Sequence, residues 1–220
     1  MFQAITHVIY DMDGLLLDTE SLNEQVNGEI VQRYGKTFTT EIKIAIAGTT
    51  AINSAKTIIE TLKLPLTVDE YLQARNKLLY PLYSHAKTFP GTVELIQHLA
   101  NHNIPQAIAT SSSRQNFEMK TVNHQDWLKH FELFTLGDDP EIRQGKPAPD
   151  IFLLTAKRLN AKPQNCLVFE DSLSGMKAAI AAGMSVVVVP DPVFDKQIFS
   201  AADIVLNSIT EFEPNTIIDL

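Results

Sequence analysis

Apolar positions follow two alternating patterns along this chain. Short runs rich in β-branched residues predict buried strands, and longer stretches with apolar residues three or four positions apart predict helices between them. Strands that alternate with helices in this way predict an α/β fold in which helices cover a parallel sheet. The predicted strands are Ile5–Tyr10, Pro105–Thr110, Glu132–Leu136, Cys166–Phe169, Ser185–Val189 and Ile204–Leu206, and the predicted helices between them are Thr92–Asn101, Asp150–Leu159 and Ser174–Ala182.

One region, residues 21–85, interrupts this alternation with helices alone. No convincing strand pattern occurs in it, and it directly follows the first predicted strand. The helical patterns in this region are Leu22–Tyr34, Ile52–Leu62 and Val68–Tyr83.

The helical region is interpreted as an insertion into the α/β domain. Its last helix begins after Thr67 with Glu70 at the third position, which is the spacing of a capping box. We therefore predict a helical domain of residues 18–87 and a main domain of residues 1–17 and 88–220. The alternative is one continuous α/β domain with an unusually helical front.

Composition narrows the possible partners and the compartment. The 220 residues carry a net charge of −8, whereas nucleic acids and anionic membranes require clustered Lys and Arg, so neither is expected as a partner. The single cysteine, Cys166, opens an apolar run and is expected to be a packed core thiol. The sequence has one cysteine and no basic, apolar leader, so we expect a cytoplasmic protein. For the oligomeric state, a monomer is the default expectation.

Two aspartates, Asp11 and Asp13, stand at the end of the first strand. Residues two apart in a strand point to the same side, so the two carboxylates can converge just past the strand end. Like charges this close repel, and a divalent cation with oxygen ligands, such as Mg²⁺, would compensate them. A solvated turn is the alternative. A calcium loop fails because Leu22 stands where its twelfth residue should be Glu.

Polar residues also follow three later strands. Ala109–Ser113 (A-T-S-S-S) offers hydroxyls and backbone N–H groups for an anion, and Ser112 with Gln115 also fits a helix capping box. Gly145–Asp150 (G-K-P-A-P-D) is a rigid entry to a helix, and it could aim Lys146 at a phosphate.

The last of these segments is Val168–Ser172 (V-F-E-D-S), where Glu170 and Asp171 end a strongly apolar strand. Each segment alone also has an ordinary structural explanation: a helix cap, a solvated lysine or acids at a helix N-terminus. Ligands in open α/β sheets bind outside the carboxyl ends of the strands, so all four segments are expected to share one crevice. An acidic metal site, an anion-binding turn and a lysine are what phosphoryl transfer requires.

In order, these segments resemble the four motifs of the haloacid-dehalogenase-like hydrolase superfamily: D-M-D-G-L-L-L-D-T-E, A-T-S-S, G-K-P-A-P-D-I-F and F-E-D-S. The resemblance covers essentially the whole chain, and the helical region looks like that family's α-helical cap. G-D-D-P-E-I, C-L-V-F-E-D and A-A-G-M are similar to the pseudouridine-5′-phosphatase branch. The resemblance implies a doubly wound, Rossmann-like parallel-sheet core with an inserted α-helical cap domain.

The resemblance also implies roles for individual residues. Asp11 would be the nucleophile that forms an aspartyl-phosphate, and Asp13 the general acid for the leaving alcohol and then the base for water. Thr110, Ser111 and Lys146 would hold the phosphoryl oxygens.

The implied cofactor is Mg²⁺, and the implied substrate is a small phosphorylated metabolite. The metal ligands would be Asp11, Asp13 through its backbone carbonyl, and Asp171, with Glu170 beside them or one water away. The substrate would be a nucleotide or sugar phosphate, with pseudouridine 5′-phosphate as the named candidate. Residues expected to face the leaving group are Asp18, Glu20, Asn23, Thr49, Arg114 and Asp138.

Two other functions remain possible. A mutase similar to β-phosphoglucomutase would need a cap histidine and a cap arginine, and Asn23 and Ala51 stand at about those positions. A non-catalytic phosphate-binding protein on the same fold is the second, because a fold does not fix a function.

Overall fold

The computed structural model describes residues 5–216 of the chain, and within them one six-stranded parallel sheet organises the fold. The spatial order is β3-β2-β1-β4-β5-β6, so the first strand lies near the centre of the sheet. The strands are β1 (His7–Tyr10), β2 (Gln106–Thr110), β3 (Leu133–Leu136), β4 (Cys166–Glu170), β5 (Ser185–Val188) and β6 (Ile204–Val205).

Every predicted helix is present in the described residues, and three more occur that the apolar pattern did not predict, α2, α6 and α7. Of these three, only α6 was anticipated, through the capping residues before it. Predicted and observed ends of strands and helices differ by at most two residues. The helices are α1 (Glu20–Gln32), α2 (Thr40–Ile46), α3 (Ala51–Leu62), α4 (Val68–Tyr83), α5 (Thr92–Asn101), α6 (Arg114–Thr121), α7 (Gln125–Leu128), α8 (Asp150–Arg158) and α9 (Leu173–Ala181).

Apolar residues cover both faces of the sheet. Along β1, Val8 and Tyr10 belong to one hydrophobic cluster while Ile9 belongs to another, because successive side chains point to opposite faces. Cys166 is fully buried in the second cluster, as expected for a core thiol, and burial raises its pKa to about 11. Burial on both faces confirms the predicted α/β fold with a helix-covered parallel sheet.

Helices α1 to α4 pack around a third cluster, which includes Val26, Ile58 and Tyr71. The capping box of α4 is confirmed: Thr67 Oγ1 accepts from the Glu70 N–H, and Glu70 Oε2 accepts from the Thr67 N–H at 2.8 Å. The helices therefore have an apolar centre distinct from the two that cover the sheet.

The chain leaves and re-enters the sheet region through one paired stem. The Asp18 N–H donates to the Lys87 carbonyl at 2.8 Å, and the Phe89 N–H donates to the Leu16 carbonyl at 3.1 Å. The helical segment thus begins and ends at one stem, a few residues after β1. No helix within residues 5–216 has the length and apolar character needed to cross a membrane.

Candidate active site

The strand order brings the predicted site residues to one place. Asp11 directly follows β1, Thr110 ends β2 and Glu170 ends β4, and these three strands are neighbours in the sheet. The Asp11 N–H donates to the Phe169 carbonyl at 2.9 Å, which continues the pairing of β1 with β4 into the site. Asp11 is therefore buried at the centre of the strand ends, at 6% exposure.

Lys146 lies within this cluster and is buried rather than solvated. Its Nζ donates to Asp11 Oδ1 at 2.5 Å, to Glu170 Oε1 at 2.6 Å and to the Ala109 carbonyl at 3.3 Å. The loop that carries Lys146 is held by Asp150, whose Oδ2 accepts from two backbone N–H groups of residues 143 and 144 at 3.1 Å. The sequence allowed a solvated charge at this position, and that interpretation is wrong because three acceptors surround the ammonium group.

Asp11 has an unusual protonation equilibrium for an aspartate. Burial raises its pKa to about 7; Lys146 opposes the rise, and the nearby Glu170 and Asp13 add to it. An added cation would lower this pKa again by favouring the carboxylate.

Asp13 has the opposite balance of forces. Burial acts to raise its pKa, but the charge of Lys120 and hydrogen bonds from Lys120, Ser112 and Thr19 outweigh it, so the pKa is lowered. Thr19 Oγ1 donates to Oδ1 and Ser112 Oγ donates to Oδ2, each at 2.8 Å. Thr110 Oγ1 donates to the same Oδ2 at 3.3 Å. Two aspartates two residues apart thus have pKa values displaced in opposite directions, a pattern typical of acid–base sites.

Lys120 was not among the predicted site residues. Its Nζ donates to Asp13 Oδ1 at 2.6 Å and to Ser112 Oγ at 2.8 Å. A signal was available in the sequence, because Lys120 lies three residues after Phe117 and so falls on the buried face of α6.

The turn after β2 differs in part from its prediction. Ser113, not Ser112, caps α6, and its Oγ accepts from the Asn116 N–H. Ser112 is not available for that role because its hydroxyl is bonded to Asp13 and Lys120. Ser111 is exposed at the turn, beside the strand ends.

Glu170 and Asp171 are adjacent but have different surroundings. Glu170 is fully buried, and its Oε2 accepts from the Asp171 N–H at 3.0 Å and from the N–H and hydroxyl of Ser172. Both oxygens of Glu170 are thus engaged, one by Lys146 and one by this turn. This arrangement favours a supporting role for Glu170 beside a cation over direct ligation.

The Asp171 carboxylate fits a divalent cation. Within residues 5–216 no side chain or backbone N–H donates to it, and burial together with Glu170, Asp11 and Glu20 raises its pKa well above the usual range. Gly14 has a φ of +82°, and a Cβ there would lie 2.3 Å from Asp171 Oδ2. Only glycine leaves this space beside the carboxylate open.

Carboxylates outnumber cations at the strand ends. Asp11, Asp13, Glu170 and Asp171 face two lysines, Lys146 and Lys120. In the part of the chain that the structure describes, no three His, Cys, Asp or Glu side chains already form a ligand cluster, so backbone, substrate and water oxygens would have to complete a metal shell. Mg²⁺ is commonly bound in that way.

A polar cavity of about 150 Å³ lies among helices α1 to α4. Glu20 lines it and also lies close enough to Asp13 for that charge to raise the Glu20 pKa, after burial, the larger cause. Glu20 therefore connects the cavity to the Asp13 side chain. Asn23 and Thr49 also line the cavity, whereas Asp18, Arg114 and Asp138 do not. Which of these residues face the leaving group stays a prediction.

Two cations of this cavity were not predicted, Lys43 and Arg75. Arg75 Nη2 donates to Asn23 Oδ1 at 2.7 Å, and Lys43 pairs with Glu24 and with Asp191, which follows β5. Ala51 lines the cavity as well, so the two positions compared with a mutase do face it.

Comparison with known proteins identifies the family. The model of the haloacid dehalogenase-like hydrolases matches residues 8–189, a span that includes all four motifs. The chain belongs to this family. The expectation from the four motifs is thereby confirmed.

Two relatives of about 40% identity are named as phosphatases. The (DL)-glycerol-3-phosphatase 2 of Arabidopsis thaliana is 41% identical over 216 residues, covering 96% of this chain and 90% of that protein. A probable pseudouridine-5′-phosphatase of Drosophila melanogaster is 40% identical over 217 residues, covering 97% and 94%. The structure of CbbY from Rhodobacter sphaeroides in complex with phosphate matches with a TM-score of 0.77 at 27% identity, covering 98% and 100%. The similarity to the pseudouridine-5′-phosphatase branch is confirmed, and a glycerol-3-phosphatase is equally similar.

Proposed function

We propose that this protein is a magnesium-dependent phosphomonoester hydrolase that acts on a small nucleotide or sugar phosphate. The observation that carries the proposal is the arrangement around Asp11: a buried carboxylate whose Oδ1 is held by Lys146, with Asp13 and Asp171 beside it. Such a carboxylate is oriented for attack, and its neighbours supply the charge and the proton acceptor that phosphoryl transfer needs.

In the first step, Asp11 Oδ2 attacks the phosphorus while the bond to the leaving oxygen breaks. Asp13 gives a proton to that oxygen, so the product leaves as a neutral alcohol. Because the pKa of Asp13 is lowered in the free protein, Asp13 would take up this proton when the anionic phosphate binds beside it and raises that pKa. The intermediate is an aspartyl-phosphate on Asp11. In the second step, ionised Asp13 takes a proton from water as the water oxygen attacks the phosphorus. The bond from the phosphorus to the Asp11 oxygen breaks, which restores the Asp11 carboxylate and releases inorganic phosphate.

The residues around Asp11 hold the phosphoryl group. Lys146, the Thr110 hydroxyl and the Ser111 N–H would bind phosphoryl oxygens. In support, Thr110 ends β2, Ser111 follows it, and Lys146 reaches Asp11 from the loop before α8. Asp11, the Asp13 backbone carbonyl and Asp171 would bind Mg²⁺, with Glu170 orienting Lys146 and the turn that carries Asp171. Bound there, the cation would neutralise the phosphoryl oxygens and the excess of carboxylates.

Residues 18–87 are proposed to act as a cap domain over a core of residues 1–17 and 88–220. Their separate apolar cluster and the paired stem support this division. The cavity lined by Glu20, Asn23 and Arg75 would receive the leaving group. Pseudouridine 5′-phosphate is the first candidate substrate and glycerol 3-phosphate the second, because each is named in a relative of about 40% identity. The protein is proposed to act as a cytoplasmic monomer.

The test is phosphate release from a panel containing pseudouridine 5′-phosphate, glycerol 3-phosphate, other nucleoside monophosphates and hexose phosphates, with Mg²⁺ or with EDTA. We expect Mg²⁺-dependent release that Asp11→Asn abolishes, because an amide is a poor nucleophile. The control is Asp126→Asn, the same change at an exposed position of α7, which should keep wild-type activity.

Two results would contradict the proposal. Conversion of β-glucose 1-phosphate to the 6-phosphate without phosphate release would indicate a mutase. Phosphate binding by folded protein that hydrolyses no ester on the panel would indicate a non-catalytic binding protein.

A further inference from the structure

Lys120 is a buried cation to which neither the proposed phosphoryl site nor the cavity gives a role. It is 5% exposed, on the inward face of α6 with Phe117 and Thr121. Lysine is almost never buried to this degree without a partner. Lys120 does not line the cavity, so its contacts within the protein define what it does.

These contacts converge on one carboxylate. Lys120 Nζ donates to Asp13 Oδ1 at 2.6 Å and to Ser112 Oγ at 2.8 Å, while Ser112 Oγ donates to Asp13 Oδ2 at 2.8 Å. The three side chains thus form a closed ring of hydrogen bonds that engages both oxygens of Asp13. Thr19 and Thr110 add one hydroxyl donor to each oxygen, so Lys120 is the charged donor among the four side chains that fix the plane of the carboxylate.

The ammonium group itself is held from a third side. Its nitrogen lies 4.7 Å from the ring centroid of Tyr83, the last residue of α4 and 3% exposed. A cation over an aromatic face is attracted to it, and burial strengthens that attraction. The position of Lys120, and through it of Asp13, therefore depends on a helix of the 18–87 segment as well as on α6.

We propose that Lys120 is a positioning residue that acts through Asp13. It holds the carboxylate in the one orientation from which Asp13 exchanges a proton with the leaving oxygen and with water. This inference depends on the proposed function of Asp13. A purely structural lysine would also pair with Asp13, but its loss would not affect turnover more than stability and substrate binding.

The first experiment compares Lys120→Met with Lys129→Met. Methionine keeps most of the aliphatic stem against Tyr83 and lacks the N–H donors, and Lys129 is exposed after α7. We expect kcat of Lys120→Met to fall about tenfold to a hundredfold, the usual effect of losing a residue that orients a reacting group. KM should stay close to that of the wild type, because substrate binding is not touched. Lys120→Arg, which can still donate to Asp13, should recover most of the lost kcat.

The second experiment is a double-mutant cycle with Asp13→Asn, with p-nitrophenyl phosphate as a sensitive probe of residual activity. If Lys120 acts only through Asp13, adding Lys120→Met to Asp13→Asn should lower kcat little further. If Lys120→Met alone is too unstable to purify, the double variant can still be compared with Asp13→Asn, because the double variant buries neither charge.

Either of two results would overturn the inference: a kcat of Lys120→Met equal to that of Lys129→Met, or an equal loss of kcat in the wild-type and Asp13→Asn backgrounds. Both comparisons of kcat can be made only if the wild-type enzyme releases phosphate. A wild type that releases none would contradict the proposed function instead.

Discussion

At the scale of single residues, Glu170 is packed so closely that no side chain fits beside it. A Cβ on Gly175, in the first turn of α9, would lie 1.8 Å from the Glu170 carboxyl carbon. Glycine is therefore required at this position by space rather than by backbone conformation. Because Glu170 in turn holds Lys146, a change at Gly175 reaches the proposed nucleophile through two contacts.

We expect Gly175→Ala to lower the free energy of unfolding by about 1–3 kcal/mol, since overpacking shifts side chains and backbone. It should also lower kcat, because Glu170 must move away from Lys146. Thermal unfolding and phosphate release measure the two effects.

The matched control is Gly28→Ala in α1, where a Cβ would meet nothing within 4 Å. That change should stabilise the protein by up to about 1 kcal/mol and leave kcat unchanged, since alanine favours helix more than glycine does. Equal stability and activity of Gly175→Ala and the wild type would show that the space beside Glu170 is not restrictive.

Residue types at strand ends could be predicted from the sequence, whereas the pairing of charges could not. Asp11, Asp13 and Asp171 follow apolar runs that mark them directly. Lys120 and Lys146 lie in polar segments, where a lysine is ordinarily solvated, and only the fold shows that each is surrounded by acceptors. Long-range pairs of this kind leave no local pattern.

At the scale of elements, the helices that were missed are those whose pattern is ambiguous. In α2 the isoleucines Ile42, Ile44 and Ile46 alternate with polar or small residues, which is a strand period, yet Ile44 is 44% exposed and only Ile42 is buried. Helix α7 has four residues, too few for any period to be evident. The strands and the long helices were predicted within two residues because apolar periodicity and capping residues agree there.

The capping residue Thr67 shows how much one such sequence signal contributes to stability. We expect Thr67→Ala to lower the free energy of unfolding by about 1 kcal/mol, because α4 loses the hydroxyl that accepts from the Glu70 N–H. Phosphatase activity at a temperature where the protein stays folded should not change.

Thr61→Ala in α3 is the control for Thr67→Ala, because it makes the same substitution at an exposed helical position that is not a cap. Chemical denaturation should separate the two variants. Indistinguishable midpoints would mean that the capping box contributes nothing to stability.

At the scale of the whole molecule, the cluster of carboxylates at the strand ends opposes folding unless protons or a cation compensate it. Asp11 has a pKa of about 7 in the folded protein against an ordinary 3.8, so the folded state binds more protons between these values. The contribution of Asp11 to stability is therefore greatest below pH 4, and this contribution is lost as pH rises towards 7. The raised pKa of Asp171 acts in the same direction.

We therefore expect the melting temperature of metal-free protein to fall between pH 5 and pH 7 more steeply for the wild type than for Asp11→Asn, which has no proton to lose at that position. Added Mg²⁺ should raise the melting temperature, and the rise should grow with pH because protons compete for the same oxygens. Thermal melts with EDTA or Mg²⁺ at pH 5, 6 and 7 make the comparison. Parallel pH profiles for the two proteins would contradict this account.

The position of β1 also governs how the chain can fold during synthesis. β1 is synthesised before the other five strands of this sheet, yet Val8 pairs with Gln106 and His7 with Cys166. β1 therefore stays unpaired until most of the chain has been synthesised. Pairings this distant in sequence are slow to form, and an apolar strand without neighbours can join another chain instead. The same central position that delivers Asp11 to the site makes nascent chains dependent on protection from aggregation.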